Sequence, residues 1–303
     1  MNSVTVARVR RKLKASPSLV RTTKAIRADR VIRSGERVLR QQVLRRGDAR
    51  ILEGFPIFAP ATDGSIRRRA ALTIQAANQT FPLMLNLSSR AGRRIKEPIP
   101  IESFVDSEDK RAAAMELEHL YGHYGSDKST THNYYLLYGA ILAVRDSITA
   151  LLEVGIGTNN LDVPSNMGID GKPGASLRAF RDFLPKARIY GADVDRRILF
   201  SEERINTFYV DQTDLGSFNA VADAVDKDFD LIIDDGLHSP HANLATLLFA
   251  LERLKIGGWL VVEDVNPSAL PVWQVVAALM PDRYDSQIVA SKAALLFVAR
   301  RSA

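Results

Sequence analysis

Between Ala150 and Asp264 one pattern recurs five times: a short apolar run that closes on an acid or a glycine turn. The runs are Ala150-Leu151-Leu152-Glu153-Val154-Gly155-Ile156-Gly157, Tyr190-Gly191-Ala192-Asp193, Phe208-Tyr209-Val210-Asp211, Phe229 to His238, and Trp259 to Asp264. Stretches of helical periodicity separate them. That alternation predicts an α/β fold with a doubly wound, mostly parallel sheet. Ligands of such sheets bind beyond the carboxyl ends of the strands, where this chain places its acids.

The strands are expected near 150–154, 188–193, 207–211, 229–234 and 259–263, and two more near 284–290 and 293–299 bring the sheet to seven. Helices are expected from Asp106 to about Gly122, Tyr135 to Ser147, Ala175 to Leu184, 214–226, Ser239-Pro240 to about Leu254, and 268–280. Ser239 suits an N-cap and Pro240 a first helical position. Upstream, residues 1–105 read as a basic, partly helical accessory region, and 106–303 as the α/β domain. Within the former, residues 1–50 suggest interrupted helix, broken near Ser34-Gly35. Residues 51–105 read as loop-rich, because prolines argue against long regular elements.

Composition excludes several chemistries. None of the 303 residues is cysteine, so disulfides, thiolate zinc sites, iron–sulfur clusters and cysteine nucleophiles drop out. No apolar run approaches the ~20 residues of a membrane helix, and the N-terminus lacks the apolar core of a signal peptide, so a cytoplasmic location is expected. Charge is segregated. Residues 1–100 hold 22 basic against 6 acidic side chains and residues 101–303 hold 19 against 29, a net +16 joined to −10. An acidic sheet edge suits a cation, an oxygen-binding metal or a sulfonium better than nucleic-acid phosphates. The Arg-rich arm reads as a helical extension packed on the body or on a second subunit, and symmetric self-assembly is the base-rate expectation.

Two constellations carry candidate chemistry. In the first, Glu153-Val154-Gly155-Ile156-Gly157 runs a strand into a glycine turn, which lets backbone approach a ligand closely. A dinucleotide fingerprint needs a third glycine where Asn160 stands, so a pyrophosphate cradle is disfavoured. Asp193 is placed to accept from ribose hydroxyls, with Asp195 as its rival, and Asp211-Gln212 can present acceptor and donor to an adenine edge. The second constellation is Asp234-Asp235-Gly236-Leu237-His238 with Glu263-Asp264, at the ends of adjacent strands. Carboxylates gathered there repel unless a cation or protons intervene, and hard oxygen donors suit Mg2+. His238 can serve as a general base beside that ion, with His241 as its rival. The polar, aromatic stretch from Tyr121 to Tyr135 reads as a lid over this edge.

Together, the Glu-x-Gly-x-Gly of the first strand, the acid after the second, Asp-Gln after the third, Asp-Asp-Gly-x-His, and Gly-Gly followed by Glu-Asp resemble class I S-adenosylmethionine-dependent methyltransferases. More narrowly, they resemble metal-dependent macrolide-sugar O-methyltransferases of the mycinamicin and tylosin type, over roughly residues 120–300. Gly125-Ser126-Asp127-Lys128 and Tyr134 match that group's cofactor-covering segment, and Gly174 to Arg178 match its first helix. The resemblance implies a Rossmann-like methyltransferase domain, Mg2+ held by Asp235, Glu263 and Asp264, and His238 as base. It places S-adenosyl-L-methionine against Glu153, Gly155, Gly157, Asp193, Asp211, Gln212 and Asp234, with Ser126 and Tyr134 covering it. The implied acceptor is a hydroxyl on a sugar or glycosylated small molecule. Residues 1–105 match nothing in the pattern, and the Asn159–Pro173 loop is this chain's own version of a variable lid; acceptor specificity would live in both, so acceptor identity does not transfer.

Two other classes compete. A nucleic-acid methyltransferase fits the basic arm, but base-amine enzymes carry Asn/Asp-Pro-Pro-aromatic where Asp234-Asp235-Gly236-Leu237 stands. A non-catalytic scaffold is the other, and intact acids at every strand end count against it.

Overall fold

A computed structural model of the chain describes residues 66–303. The helical arm expected over residues 1–50 lies outside the described residues, as does 51–65. The chain divides into two compact units, residues 1–80 and 81–303, and helix α1 (Ile66–Arg90) belongs to both by sequence.

Helix α1 corrects the loop-rich expectation for this stretch. It is 25 residues long and holds Pro82 in its interior. An interior proline costs about 3 kcal/mol, but the surrounding Ala, Leu, Met and Arg residues are strong helix formers and carry the helix through it.

Nine strands form one sheet: β1 (Ile99–Pro100), β2 (Ala150–Val154), β3 (Arg188–Asp193), β4 (Ser201–Glu202), β5 (Ile205–Tyr209), β6 (Phe229–Asp234), β7 (Leu254–Val265), β8 (Tyr284–Ala290) and β9 (Leu295–Arg301). Their spatial order is β1-β8-β9-β7-β6-β2-β3-β5-β4. All seven expected strands are present, and two-residue strands extend the sheet at both edges. Pairing is parallel from β5 through β3, β2 and β6 to β7, and antiparallel where β9 inserts between β7 and β8. Strand β7 starts five residues before expectation because Gly257-Gly258 sits inside it. The register with β6 shifts there, and Gly257 has φ +85°.

The remaining helices are α2 (Glu108–Tyr124), α3 (Tyr135–Ile141), α4 (Ala175–Phe183), α5 (Asn219–Ala224), α6 (Pro240–Arg253) and α7 (Leu270–Leu279). Two expected helices are shorter than read: α3 stops at Ile141 before a 3-10 turn, and the 214–226 stretch opens as a 3-10 turn ahead of α5. Ser239 does precede α6, but its hydroxyl meets His241 Nδ1 at 2.8 Å and makes no cap bond.

Each face of the sheet has its own core. Leu152, Val154, Ile232, Leu260 and Phe297 pack with Phe249 of α6 and Trp273 of α7. On the opposite face Leu151, Ile189, Ile233, Val261 and Val298 pack with Leu117 and Tyr121 of α2, Tyr138 of α3 and Phe180 of α4. Successive strand residues point to opposite faces, which is why the two sets interleave in sequence.

Helices α2 and α3 touch at backbone distance, since a Cβ added at Gly139 would fall 2.3 Å from Ala114 Cα. Gly125 ends α2 in the left-handed region, φ +77°, and its N–H and that of Ser126 both donate to Tyr121 O. The turn from Gly125 to Tyr134 is thereby delivered to the carboxyl edge of the sheet.

Among the described residues, no helix is long and apolar enough to cross a membrane.

Candidate active site

The carboxyl ends of β2, β3, β5, β6 and β7 open into a cleft of about 480 Å3, lined among others by Gly155, Gly157, Asp193, Asp211, Gln212, Asp235, His238 and Asp264. That volume suits a small-molecule ligand. One wall is the loop after β2, through Val163, Pro164, Ser165, Asn166 and Met167. Ser165 Oγ donates to Leu237 O at 3.2 Å, tying this loop to the turn after β6.

The adenosine-side candidates fall into two groups. Gly155 (φ +89°) and Gly157 (φ +81°) hold backbone that other residues rarely adopt. A Cβ on Gly155 would lie 2.2 Å from Asp235 O, and one on Gly157 would lie 2.1 Å from Met167 Sδ. Asp193 Oδ2 accepts from Ile156 N at 2.9 Å and Oδ1 from Asp195 N at 2.8 Å. Each oxygen keeps a second lone pair for a ligand hydroxyl. Burial pushes the Asp193 carboxyl upward, and the backbone N–H groups of Asp195 and Ile156 oppose that. Its rival Asp195 is committed elsewhere, to Thr158, Asn160 and Arg197. Asp211 Oδ1 accepts from Thr213 N and Oγ1.

Gln212 and Asp234 depart from expectation. The Gln212 amide nitrogen donates to Asp234 Oδ1 and Thr246 Oγ1, both at 2.9 Å, and its oxygen accepts from Leu237 N at 2.9 Å. Both amide donors are spent, so the side chain braces the 235–238 turn and has no donor left for an adenine edge. Asp234 is fully buried beneath that turn and is not a cleft-wall residue. Burial foremost raises its carboxyl, against Gln212, Thr246 and Asn243.

The acids of the second constellation alternate. Asp234 and Glu263 are buried, whereas Asp235 and Asp264, each the next residue, reach the cleft. His238 Nε2 lies 4.0 Å from Asp235 Oδ1 and 3.8 Å from Asp264 Oδ2. One ligand atom from each of Asp235, His238 and Asp264 lies within 4.8 Å of the others, an arrangement open to a single divalent cation. The two carboxylates meet the donor chemistry of such an ion, and the imidazole stands beside them. His238 and Asp264 both sit at φ +52°, and Ser165 at +55°, so three of the four non-glycine residues with positive φ among those described line this cleft. Backbone held in that region clusters at functional sites.

Behind the cleft wall lies a residue that sequence reasoning passed over. Lys128, 2% exposed, points Nζ at Asp235 Oδ2 (2.6 Å) and at Glu263 Oε2, and pairs with Glu153 Oε1 at 3.2 Å. Burial works against its charge, but Asp235, Glu263 and Glu153 outweigh it and hold the ammonium well above the usual lysine value. One positive charge cannot satisfy every carboxylate in reach. Burial and the Asp235 charge therefore push Glu263 well upward against Lys128, and burial raises Glu153. The tyrosines of the covering segment complete the network: Tyr138 donates to Glu263 Oε1, and Tyr134 donates to Asp264 Oδ1 at 2.5 Å. Ser176, the second residue of α4, donates to Glu153 Oε2 at 2.6 Å. Glu153, Glu263, Ser126 and Tyr134 thus stand behind the cleft wall, bonded to one another's neighbours. The only signal for Lys128 was its place in the Gly-Ser-Asp-Lys segment.

Comparison with known proteins follows the same direction. No family model matches the chain. It is 32% identical over 152 residues, half of this chain, to the 8-demethyl-8-alpha-L-rhamnosyl tetracenomycin-C 2'-O-methyltransferase of Streptomyces olivaceus, covering 38% of that protein. A second Streptomyces olivaceus enzyme, the 8-demethyl-8-(2-methoxy-alpha-L-rhamnosyl)-tetracenomycin-C 3'-O-methyltransferase, is 32% identical over 184 residues, 58% of this chain and 45% of that one. The mycinamicin VI 2''-O-methyltransferase of Micromonospora griseorubida is 37% identical over 93 residues, 30% of this chain and 23% of that one. The matched stretches span less than half the length of these relatives. Among solved structures, the MycE methyltransferase of the mycinamycin biosynthetic pathway, in complex with Mg, SAH and mycinamycin VI, superposes over 61% of this chain and 53% of that one, at 22% identity and a TM-score of 0.49. The relatives this chain resembles in sequence are sugar O-methyltransferases.

Proposed function

We propose that this chain is an S-adenosylmethionine-dependent O-methyltransferase, Mg2+-assisted, acting on a hydroxyl of a sugar or glycosylated small molecule. The observation that carries the reading is the meeting of Asp235, His238 and Asp264 in a cleft that Gly155, Gly157 and Asp193 also line. Sequence similarity to three sugar O-methyltransferases supports the substrate class.

The chain's residues divide the work. Backbone at Gly155 and Gly157 lets a ligand lie against the end of β2, and Asp193 offers acceptor lone pairs to ribose hydroxyls, with Asp211 beyond it. Asp235 and Asp264 would hold the metal. When bound, S-adenosylmethionine supplies the methyl group and Mg2+ supplies positive charge that lowers the pKa of the acceptor hydroxyl. His238 Nε2 would take the proton of the acceptor hydroxyl as that oxygen is methylated, and would end as the imidazolium. The 157–167 loop walls one side of the cleft, and much of the rate would come from holding both reactants in line.

The test is transfer of labelled methyl from S-adenosylmethionine to a panel of glycosylated acceptors, with Mg2+ or with a chelator. The expected result is label in a sugar ether, lost with chelator. With His238→Ala, turnover should fall by at least about 100-fold, the usual worth of a positioned base, while S-adenosylhomocysteine still binds. Full turnover by that variant would remove His238 from the mechanism.

A further inference from the structure

We propose that Lys128 withholds Glu263 from the cation site, so that a divalent ion is held by Asp235 and Asp264 alone, with the Lys128 ammonium as a built-in cation behind it. This rests on the metal-assisted reading above and departs from the three-carboxylate ligand set that the sequence resemblance implies.

Follow each carboxylate oxygen. Glu263 does not reach the cleft: Oε2 is held by Lys128 and Oε1 by Tyr138, the side chain is 1% exposed, and it stands outside the Asp235–His238–Asp264 cluster. Asp235 is divided, with Oδ2 on Lys128 at 2.6 Å and Oδ1 4.0 Å from His238 Nε2. Asp264 is divided likewise, with Oδ1 on Tyr134 at 2.5 Å and Oδ2 3.8 Å from His238 Nε2. One oxygen of Asp235 and one of Asp264 therefore turn to His238, and none of Glu263 does. Two carboxylates are what Mg2+ commonly takes from a protein, leaving positions for water and for an acceptor hydroxyl.

Lys128 comes from the covering segment and not from the sheet. The turn that carries it is fixed at one end by the Gly125 cap and at the other by Tyr134 N donating to Lys128 O at 3.2 Å. Removing the ammonium would leave the buried Glu153 and Glu263 beside the half-buried Asp235 with no counter-charge. A divalent ion is then the nearest substitute, and Glu263 becomes a ligand. Lys128 is thus a positioning residue that sets which acids the metal sees.

The measurement is Mn2+ titration of the full chain followed by electron paramagnetic resonance of the free ion, without methyl donor or acceptor. The wild type should bind one Mn2+ per chain. Glu263→Gln, which keeps its size, still accepts from Lys128 through its amide oxygen and can donate its amide N–H to Tyr138 Oη, should bind within about threefold of wild type. Asp264→Asn should weaken binding at least about tenfold. Lys128→Met should bind Mn2+ at least about tenfold more tightly, and its lowered melting temperature should be restored by Mn2+, which a purely structural lysine would not allow. If Glu263→Gln loses Mn2+ as Asp264→Asn does, Glu263 is a ligand and the proposal is overturned. That pair decides the matter even where Lys128→Met fails to fold. A wild type that binds no Mn2+ would sink the metal-assisted reading itself, a result distinct from loss confined to Glu263→Gln.

Discussion

Gly155 occupies backbone at φ +89° with Asp235 O directly against the place a Cβ would take. Gly155→Ala therefore strains the turn and pushes the end of β2 from the end of β6. S-adenosylhomocysteine affinity should fall by about tenfold or more, about 1.4 kcal/mol, measured by calorimetry. Asp195 offers a pH test. Arg197 foremost, with Thr158 and Asn160, holds its carboxyl well below the usual range against the opposing effect of burial. A depressed folded-state pKa favours the charged form, so the stabilisation is full at neutral pH and is lost as pH falls below the ordinary aspartate value toward the depressed one. Asp195→Asn should melt lower than wild type at pH 7, and scanning calorimetry should find the gap shrinking below about pH 4.

At the scale of elements, the site depends on how closely α2 and α3 pack, because the turn between them carries Lys128 and leads into Tyr134. Gly139→Ala would press a methyl onto Ala114 backbone 2.3 Å away. Overpacking of this kind costs about 1–3 kcal/mol, and the strain falls on the segment bearing Lys128, so both the denaturant midpoint and Mn2+ affinity should change. Elements were the legible part of the sequence. Runs such as Phe229-Asp230-Leu231-Ile232-Ile233-Asp234 declare a strand by composition and length, and Pro240 and Gly257 mark a start and a bend, whereas α2 runs past Gly122, its expected end, to the cap at Gly125. Helix α1 was less readable, since Pro82 signals a break that good helix formers override.

Side-chain direction within the site was not legible. Asp234-Asp235 and Glu263-Asp264 look alike on paper, yet in each doublet the first acid is buried and the second reaches the cleft. The strand's alternation decides which, and at Asp264 the left-handed backbone modifies it further. Lys128 lies 107 residues from Asp235 in sequence, and only the packed fold brings them together. The bracing bonds of Gln212 were hidden for the same reason: its partners Asp234, Thr246 and Leu237 come from later in the chain.

For the whole molecule, the segregation of charge matches the architecture of the described residues. The acidic part folds into the sheet whose carboxyl edge gathers Glu153, Asp235 and Glu263 at the Lys128 ammonium, with Asp193 and Asp264 lining the cleft beyond it. That leaves an edge with net negative charge, suited to a sulfonium and a divalent ion. Ligand binding should then stabilise the fold by mass action. At 100 times its dissociation constant S-adenosylhomocysteine should contribute about 2.7 kcal/mol, a rise of several degrees in melting temperature.

The most direct test of the central claim is calorimetric titration of the full chain with S-adenosylhomocysteine, with and without Mg2+. The account predicts one site of micromolar or tighter affinity, weakened by Gly155→Ala. Absence of binding in both buffers would contradict it and favour a scaffold that keeps the fold without the chemistry.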